Sequence, residues 1–240
     1  MSGVGGRERA TPVLLPGNMC DARLWTADVR AALPGAVDAD LTQDDMVDGM
    51  AARVLDTVEG PLLPVGFSMG AIVALAMAAR APERIAGAVL IGLNAGADLP
   101  ERAAHRPAQQ AEVLAGGLER VLVDELKPNY LARARRGDRA LLDLLRDMGM
   151  ALGPQVFVRQ SEALRTRPDL TPMLAALDTP VALLCGAEDA LCPPAWHARW
   201  QTLAPRATLS VVEGAGHMLP LEAPEAVETA IHSLPIRIDA

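Results

Sequence analysis

Ser68, Asp189 and His217 are the residues whose types and settings could do covalent chemistry in this chain. A serine hydroxyl is a weak nucleophile at neutral pH. It attacks a carbonyl only when a base takes its proton and an acid orients that base. Ser68 lies in Gly66-Phe67-Ser68-Met69-Gly70, between an apolar run at 62–65 and an uncharged run at 71–79. This spacing describes a nucleophile elbow, a strand-to-helix turn so tight that the serine is strained and flanking side chains would collide with neighbouring elements.

Four histidines are available as the base. His197 and His232 fall within expected helices, and His105 lies in a polar stretch. His217 ends Glu213-Gly214-Ala215-Gly216-His217, a loop after the last apolar strand. Active sites of open α/β sheets gather beyond such strand ends, so His217 is the expected base. The acid is sought in Gly186-Ala187-Glu188-Asp189, after another strand. The chain order serine, acid, histidine is that of elbow-type triads. Asp189 is the first candidate, Glu188 a near alternative and Asp98 a distant one.

These residues need a scaffold of strands and helices. Short apolar runs at 12–15, 37–41, 62–67, 85–91, 181–185 and 208–212 read as strands. Helices are expected at 20–33, 44–58, 69–79 and 224–233, with Thr42 or Asp44 capping the second. Strands alternating with helices imply a mostly parallel sheet covered on both faces, an α/β fold. Asp38, Asp40, Asp44, Asp45 and Asp48 lack the spacing and glycine of a calcium loop.

With 240 residues, half of them hydrophobic, a large core is available, but two Phe, one Tyr and three Trp leave it to aliphatic residues and Met. A net charge of −8 argues against nucleic acid as a partner. Cys20, Cys185 and Cys192 are too few and scattered for a disulfide framework or zinc site, so free thiols and a cytoplasmic location are expected. The first twelve residues contain no apolar core of signal-peptide length. The uncharged run 61–79 is read as strand, elbow and helix rather than as a membrane span.

The chain resembles the α/β-hydrolase superfamily. Leu14-Leu15-Pro16-Gly17, the elbow, Ala81-Pro82-Glu83-Arg84-Ile85, the 186–189 segment and the 213–217 segment occur in that family's order over residues 11 to 230. The resemblance implies an α/β-hydrolase fold with about six strands and favours Asp189 over Glu188. It implies an oxyanion hole made by the N–H of Met69 and the N–H of Asn18, where this chain has Pro16-Gly17 in place of the family's His-Gly. The Asn18 side chain is expected to face the pocket. With about ten residues before Pro12, the family's first two strands are expected to be missing.

The resemblance further implies a core at 11–94 and 171–240 and a helical cap at 95–170. Residues 95–170 hold 12 of the 22 basic and 11 of the 30 acidic residues, so the remainder carries the negative charge. Arg133, Arg135, Arg136 and Arg139 form a dense cluster. A solvated face is the plain reading; a docking patch for acyl carrier protein or coenzyme A is the sharper one. Met19, Met148 and Phe157, with Met69 and Met150, are candidates to line an acyl pocket. The expected function is hydrolysis of a small-molecule carboxylic ester through an acyl-enzyme, with no metal or organic cofactor. Thioesterase, lactonase or carbon–carbon hydrolase chemistry shares this triad, and a binding protein or receptor with little turnover is the alternative of another class.

Overall fold

A computed structural model describes residues 9–126 and 130–238. Most of the N-terminal stretch read for a signal segment lies outside them. Six parallel strands form one sheet in the order β2-β1-β3-β4-β5-β6. They are β1 (Thr11–Leu15), β2 (Val37–Asp38), β3 (Leu62–Phe67), β4 (Ala88–Ile91), β5 (Val181–Gly186) and β6 (Ala207–Val212). β3, β4 and β5 are buried along their whole length. That is why they read as continuous apolar runs rather than alternating ones.

The helices are α1 (Ala27–Ala31), α2 (Val47–Thr57), α3 (Met69–Arg80), α4 (Pro100–Glu112), α5 (Leu118–Arg120), α6 (Arg139–Thr166), α7 (Thr171–Ala176), α8 (Pro194–Leu203), α9 (Leu219–Glu222) and α10 (Pro224–Ser233). α2 turns Val47, Met50, Ala51 and Val54 into one main core cluster, where they meet α3. α3 is buried from Met69 to Ala78, as that uncharged stretch requires, and ends in the exposed Arg80. Among the described residues no helix is long and apolar enough to cross a membrane.

Some boundaries differ from the sequence reading. The helix expected at 20–33 breaks into a 3-10 turn at Ala22–Leu24 and the five-residue α1. Thr26 causes the break, because its side chain caps α1 by accepting from the Val29 N–H. Neither Thr42 nor Asp44 caps α2; Met46 holds that position without a side-chain bond, and Asp44 pairs with Arg53 instead. In the strand expected at 85–91, only Ala88–Ile91 joins the ladder, and Ile85 makes an isolated bridge to Leu62.

Between β4 and β5 the described residues form α4, α5, α6 and α7, with turns and loops between them. They contribute a small apolar cluster of Val113, Leu118, Val121, Leu122, Val156 and Phe157, joined by Met19. α6 bends at Gly153, whose φ of 81° is easy only for glycine. The same helix places Leu145 and Met148 in one main core and Ala163 and Leu164 in the other. The segment is thus packed into the body of the protein as well as on itself.

Candidate active site

The sheet's strand order reverses between β1 and β3, and open α/β sheets place their sites at such a reversal, beyond the strands' carboxyl ends. β3 ends at Phe67, and Ser68 turns the chain into α3 with φ 51° and ψ −111°. For a residue with a Cβ this costs on the order of 1–3 kcal/mol. The Ser68 N–H donates to the Ile91 carbonyl at 2.8 Å, tying the turn to β4. The glycines on either side are sterically required. A Cβ on Gly66 would stand 2.5 Å from the Gly70 carbonyl oxygen, and one on Gly70 would stand 1.9 Å from that of Leu15.

His217 and Asp189 meet Ser68 from the loops after β6 and β5. His217 Nε2 is 3.1 Å from Ser68 Oγ, and His217 Nδ1 is 2.7 Å from Asp189 Oδ2. Asp189 Oδ1 accepts the N–H groups of Leu191 and Cys192, each at 2.8 Å. Burial raises the Asp189 carboxyl pKa, but the His217 charge and hydrogen bond and the two backbone donors outweigh it, leaving a net value below the usual range. Asp189 therefore stays ionised beside the imidazole. Phe67 packs against the His217 ring with centroids 5.0 Å apart.

The other candidate acids are engaged elsewhere. Glu188 accepts the Arg133 N–H and its guanidinium, and Asp98 pairs with Arg106 and Arg167. The remaining histidines also have other settings. His197 is fully buried and accepts the Leu93 N–H through Nε2, His105 is exposed beside Glu125, and His232 is exposed on α10.

Met69 follows Ser68 in the chain and Asn18 borders the same cavity as Ser68; each carries a backbone N–H group. Among the described residues neither donates to a protein acceptor. Met69 opens α3, so its N–H belongs to a helix N-terminus that favours negative charge. Asn18 borders the cavity, as expected, and its side-chain amide also donates to Gln160 Oε1 at 3.2 Å. The same oxygen accepts the Met19 N–H at 2.8 Å, and Gln160 Nε2 donates to the Leu41 carbonyl at 3.1 Å. Gln160 thereby holds a loop whose next residue, Met19, has a φ of 54°. A glutamine within a long amphipathic helix gives no sequence signal of this role. Gln160→Ala would leave these backbone groups unpaired at about 1–3 kcal/mol each. The expected result is a lowered Tm together with a roughly tenfold loss of kcat, measured by thermal melting and steady-state kinetics.

Glu222 is a second residue that sequence reasoning missed. Its carboxylate accepts the Gly216 N–H at 3.1 Å and the Ala132 N–H at 2.8 Å. The Tyr130 carbonyl accepts the His217 N–H at 2.8 Å. These bonds fasten the histidine loop to the chain at 130–132.

The cavity above Ser68 has a volume of about 260 Å³, and its wall includes Phe67, Ile72, Leu126, Tyr130, Leu164 and Met218. Met19, Met148 and Phe157 are corrected as pocket residues. Met19 and Phe157 fill the small apolar cluster, Met148 packs in a main core, and none borders the cavity. The reason is direction. Met148 and Phe157 lie on the faces of α6 turned into the protein, and Met19 is drawn inward by Gln160.

Asp189, Cys192 and His217 place possible metal-ligating atoms within 4.8 Å of one another. Their chemistry is that of a hydrogen-bonded relay. Both Asp189 oxygens and His217 Nδ1 are already paired, and burial raises the Cys192 thiol so that it keeps its proton. Three of the acidic residues around 38–48 are separately paired, Asp38 with Arg30, Asp44 with Arg53 and Asp48 with Arg80.

In the arginine cluster, Arg133 pairs with Glu188, and Arg135 reaches Asp138 and the carbonyls of Leu221 and Glu222.

The chain is similar to a thermophilic esterase from Thermogutta terrifontis, solved in a malate-bound form. The identity is 26%, the TM-score 0.83, and the match covers 93% of this chain and 89% of that one. It is 28% identical to a Mycobacterium tuberculosis protein named "Putative non-heme bromoperoxidase BpoC", over 79% of this chain and 74% of that protein. It is 27% identical to a pimeloyl-[acyl-carrier protein] methyl ester esterase of Neisseria meningitidis serogroup B, over 77% of this chain and 73% of that protein. The profile of the alpha/beta hydrolase family matches residues 12–230. With that match spanning nearly all of the sheet and its loops, the chain belongs to the alpha/beta hydrolase family.

Proposed function

We propose that the protein hydrolyses a carboxylic ester of a small molecule through an acyl-enzyme on Ser68. The observation that carries this reading is the pair of contacts made by His217, 3.1 Å to Ser68 Oγ and 2.7 Å to Asp189. Ser68 Oγ attacks the ester carbonyl while His217 Nε2 takes its proton. The charge developing on the carbonyl oxygen is received by the N–H groups of Asn18 and Met69; one such donor is typically worth about 3–4 kcal/mol of barrier. Collapse of this intermediate breaks the bond to the alcohol, which leaves with the proton from His217. Water then adds to the acyl-enzyme by the same route, and Ser68 is regained. Asp189 holds the His217 tautomer that leaves Nε2 free and stabilises the imidazolium.

The helical segment at 95–170 acts as the cap that limits the acyl and alcohol groups, since the cavity wall includes Arg102, Gln109 and Tyr130 from it. The esterase relatives support ester over other bonds, and the carrier-protein ester esterase leaves a carrier-bound substrate open. Arg136 and Arg139 remain the members of the arginine cluster for such a carrier to meet. The three cysteines are free and buried, which suits a cytoplasmic setting. A panel of esters, thioesters and lactones of graded acyl length, run beside Ser68→Ala, tests the reading. Turnover of esters that disappears in Ser68→Ala is expected; a folded wild type inert toward the whole panel would favour a binding protein.

A further inference from the structure

The cavity wall is more cationic than a neutral ester requires. It contains Asp98, Arg102, Arg106, Glu125 and Arg167. The Asp98 carboxylate is already shared by two guanidiniums, at 2.7 Å from Arg106 and 3.0 Å from Arg167. Glu125 is bonded to Arg120, Gln109 and His105. No carboxylate among the described residues pairs with Arg102. Its Nη2 donates to the Leu191 carbonyl at 3.2 Å, which leaves most of the fork's donors unused.

Asn94 borders the same cavity just past β4 and is only 7% exposed. Its Oδ1 accepts the Gly96 N–H at 3.1 Å, which fixes the orientation of the amide. Its Nδ2 is buried without any partner. A buried donor left unmade costs about 1–3 kcal/mol, an anomaly that an incoming acceptor would remove.

We propose that Arg102 and Asn94 form an anion subsite that takes a carboxylate carried by the acyl part of the substrate. This rests on the ester-hydrolase reading and narrows it to monoesters of small dicarboxylic acids. A carboxylate presents two oxygens to the guanidinium fork, and Asn94 on the same cavity wall holds an amide N–H without a partner. Charge-assisted bonds of this kind gain strength in a cavity partly closed to water. The site also explains the spare positive charge, because a bound carboxylate would neutralise Arg102 as Asp98 neutralises its neighbours.

The test compares mono-p-nitrophenyl esters of succinic, glutaric and adipic acids with neutral p-nitrophenyl esters of matching length. The readout is the ratio of kcat/KM for each anionic ester to that for its neutral partner. The ratio cancels any loosening of the Asp189 loop when the contact to Leu191 is lost. At one chain length or more, Arg102→Met is expected to lower it at least tenfold, with partial rescue by Arg102→Lys. A ratio within twofold of wild type at every length would overturn the subsite. Binding of the free dicarboxylates to Ser68→Ala and to Ser68→Ala/Arg102→Met, measured by calorimetry, needs no turnover. Binding that weakens at least tenfold without Arg102 supports the subsite even if no ester is hydrolysed, and absence of binding in Ser68→Ala counts against it. Failure of the ester-hydrolase reading is separate: neither ester of any pair would show Ser68-dependent turnover.

Discussion

Asp189→Asn is expected to lower kcat by about 10⁴-fold while leaving the protein folded, the scale found when the orienting acid of such a triad becomes its amide. The local bonding dictates the reason. Asp189 Oδ1 accepts two backbone N–H groups, from Leu191 and Cys192. In the variant, the amide oxygen must occupy that position, because an NH₂ group there would face two donors. The NH₂ then takes the place of Oδ2 and donates to His217 Nδ1. The imidazole must carry its proton on Nε2, the nitrogen that faces Ser68, and cannot receive the serine proton. Steady-state kinetics beside a thermal melt checks this, and a loss below tenfold would remove Asp189 from the mechanism. The depressed Asp189 carboxyl also has a stability consequence with a definite sign. Its contribution is present above the ordinary carboxylate value of about 3.9 and is lost as pH falls below that toward the folded value. The asparagine variant should therefore show a flatter acid limb in its melting profile.

The largest structural effect is expected from Gly70→Ala. The added methyl would stand 1.9 Å from the Leu15 carbonyl oxygen, 2.5 Å from its carbon and 2.8 Å from the Pro16 oxygen. All three are backbone atoms at the end of β1, so no rotamer change relieves the clash. Either α3 moves off the sheet or β1 and the Asn18 loop move away from Ser68. A loss of about 3 kcal/mol, at the upper end for overpacking, corresponds to a fall in Tm of roughly 6–12 °C. Activity should fall further than stability alone accounts for, since the loop that moves carries the Asn18 N–H. Gly137→Ala is the control, because a Cβ there meets nothing within 4 Å and φ is not positive. Equal melting temperatures for the two variants would show that the close approach of α3 to β1 is not maintained in solution.

The parts of the fold legible in the sequence were those where chain-local physics dominates. β3, β4 and β5 are buried on both faces and read as apolar runs. The glycines of the elbow mark backbone contacts that allow no side chain. Ser68, Asp189 and His217 could be placed near one another because each follows a strand, and parallel strands end together on one side of a sheet. The pocket wall was not legible, because it depends on the direction taken by helices between β4 and β5. Met148 and Phe157 look like acyl contacts in sequence, yet a turn of α6 carries them inward, while polar residues such as Arg102 and Asn94 face the cavity. Gln160 and Glu222 act on chain segments about 140 and 90 residues away, at separations that no local pattern encodes. The arginines at 133 and 135 show the reverse. They stand out as a charge cluster, but Glu188, Asp138 and backbone carbonyls occupy them.

If Ser68 is a nucleophile activated by His217 and Asp189, treating the folded protein with a fluorophosphonate will trap it, and mass spectrometry will map the adduct. One phosphonyl group on the peptide containing Ser68, absent in Ser68→Ala and formed far more slowly in Asp189→Asn, is the predicted result. An unlabelled wild type, or labelling that persists in Ser68→Ala, would contradict it.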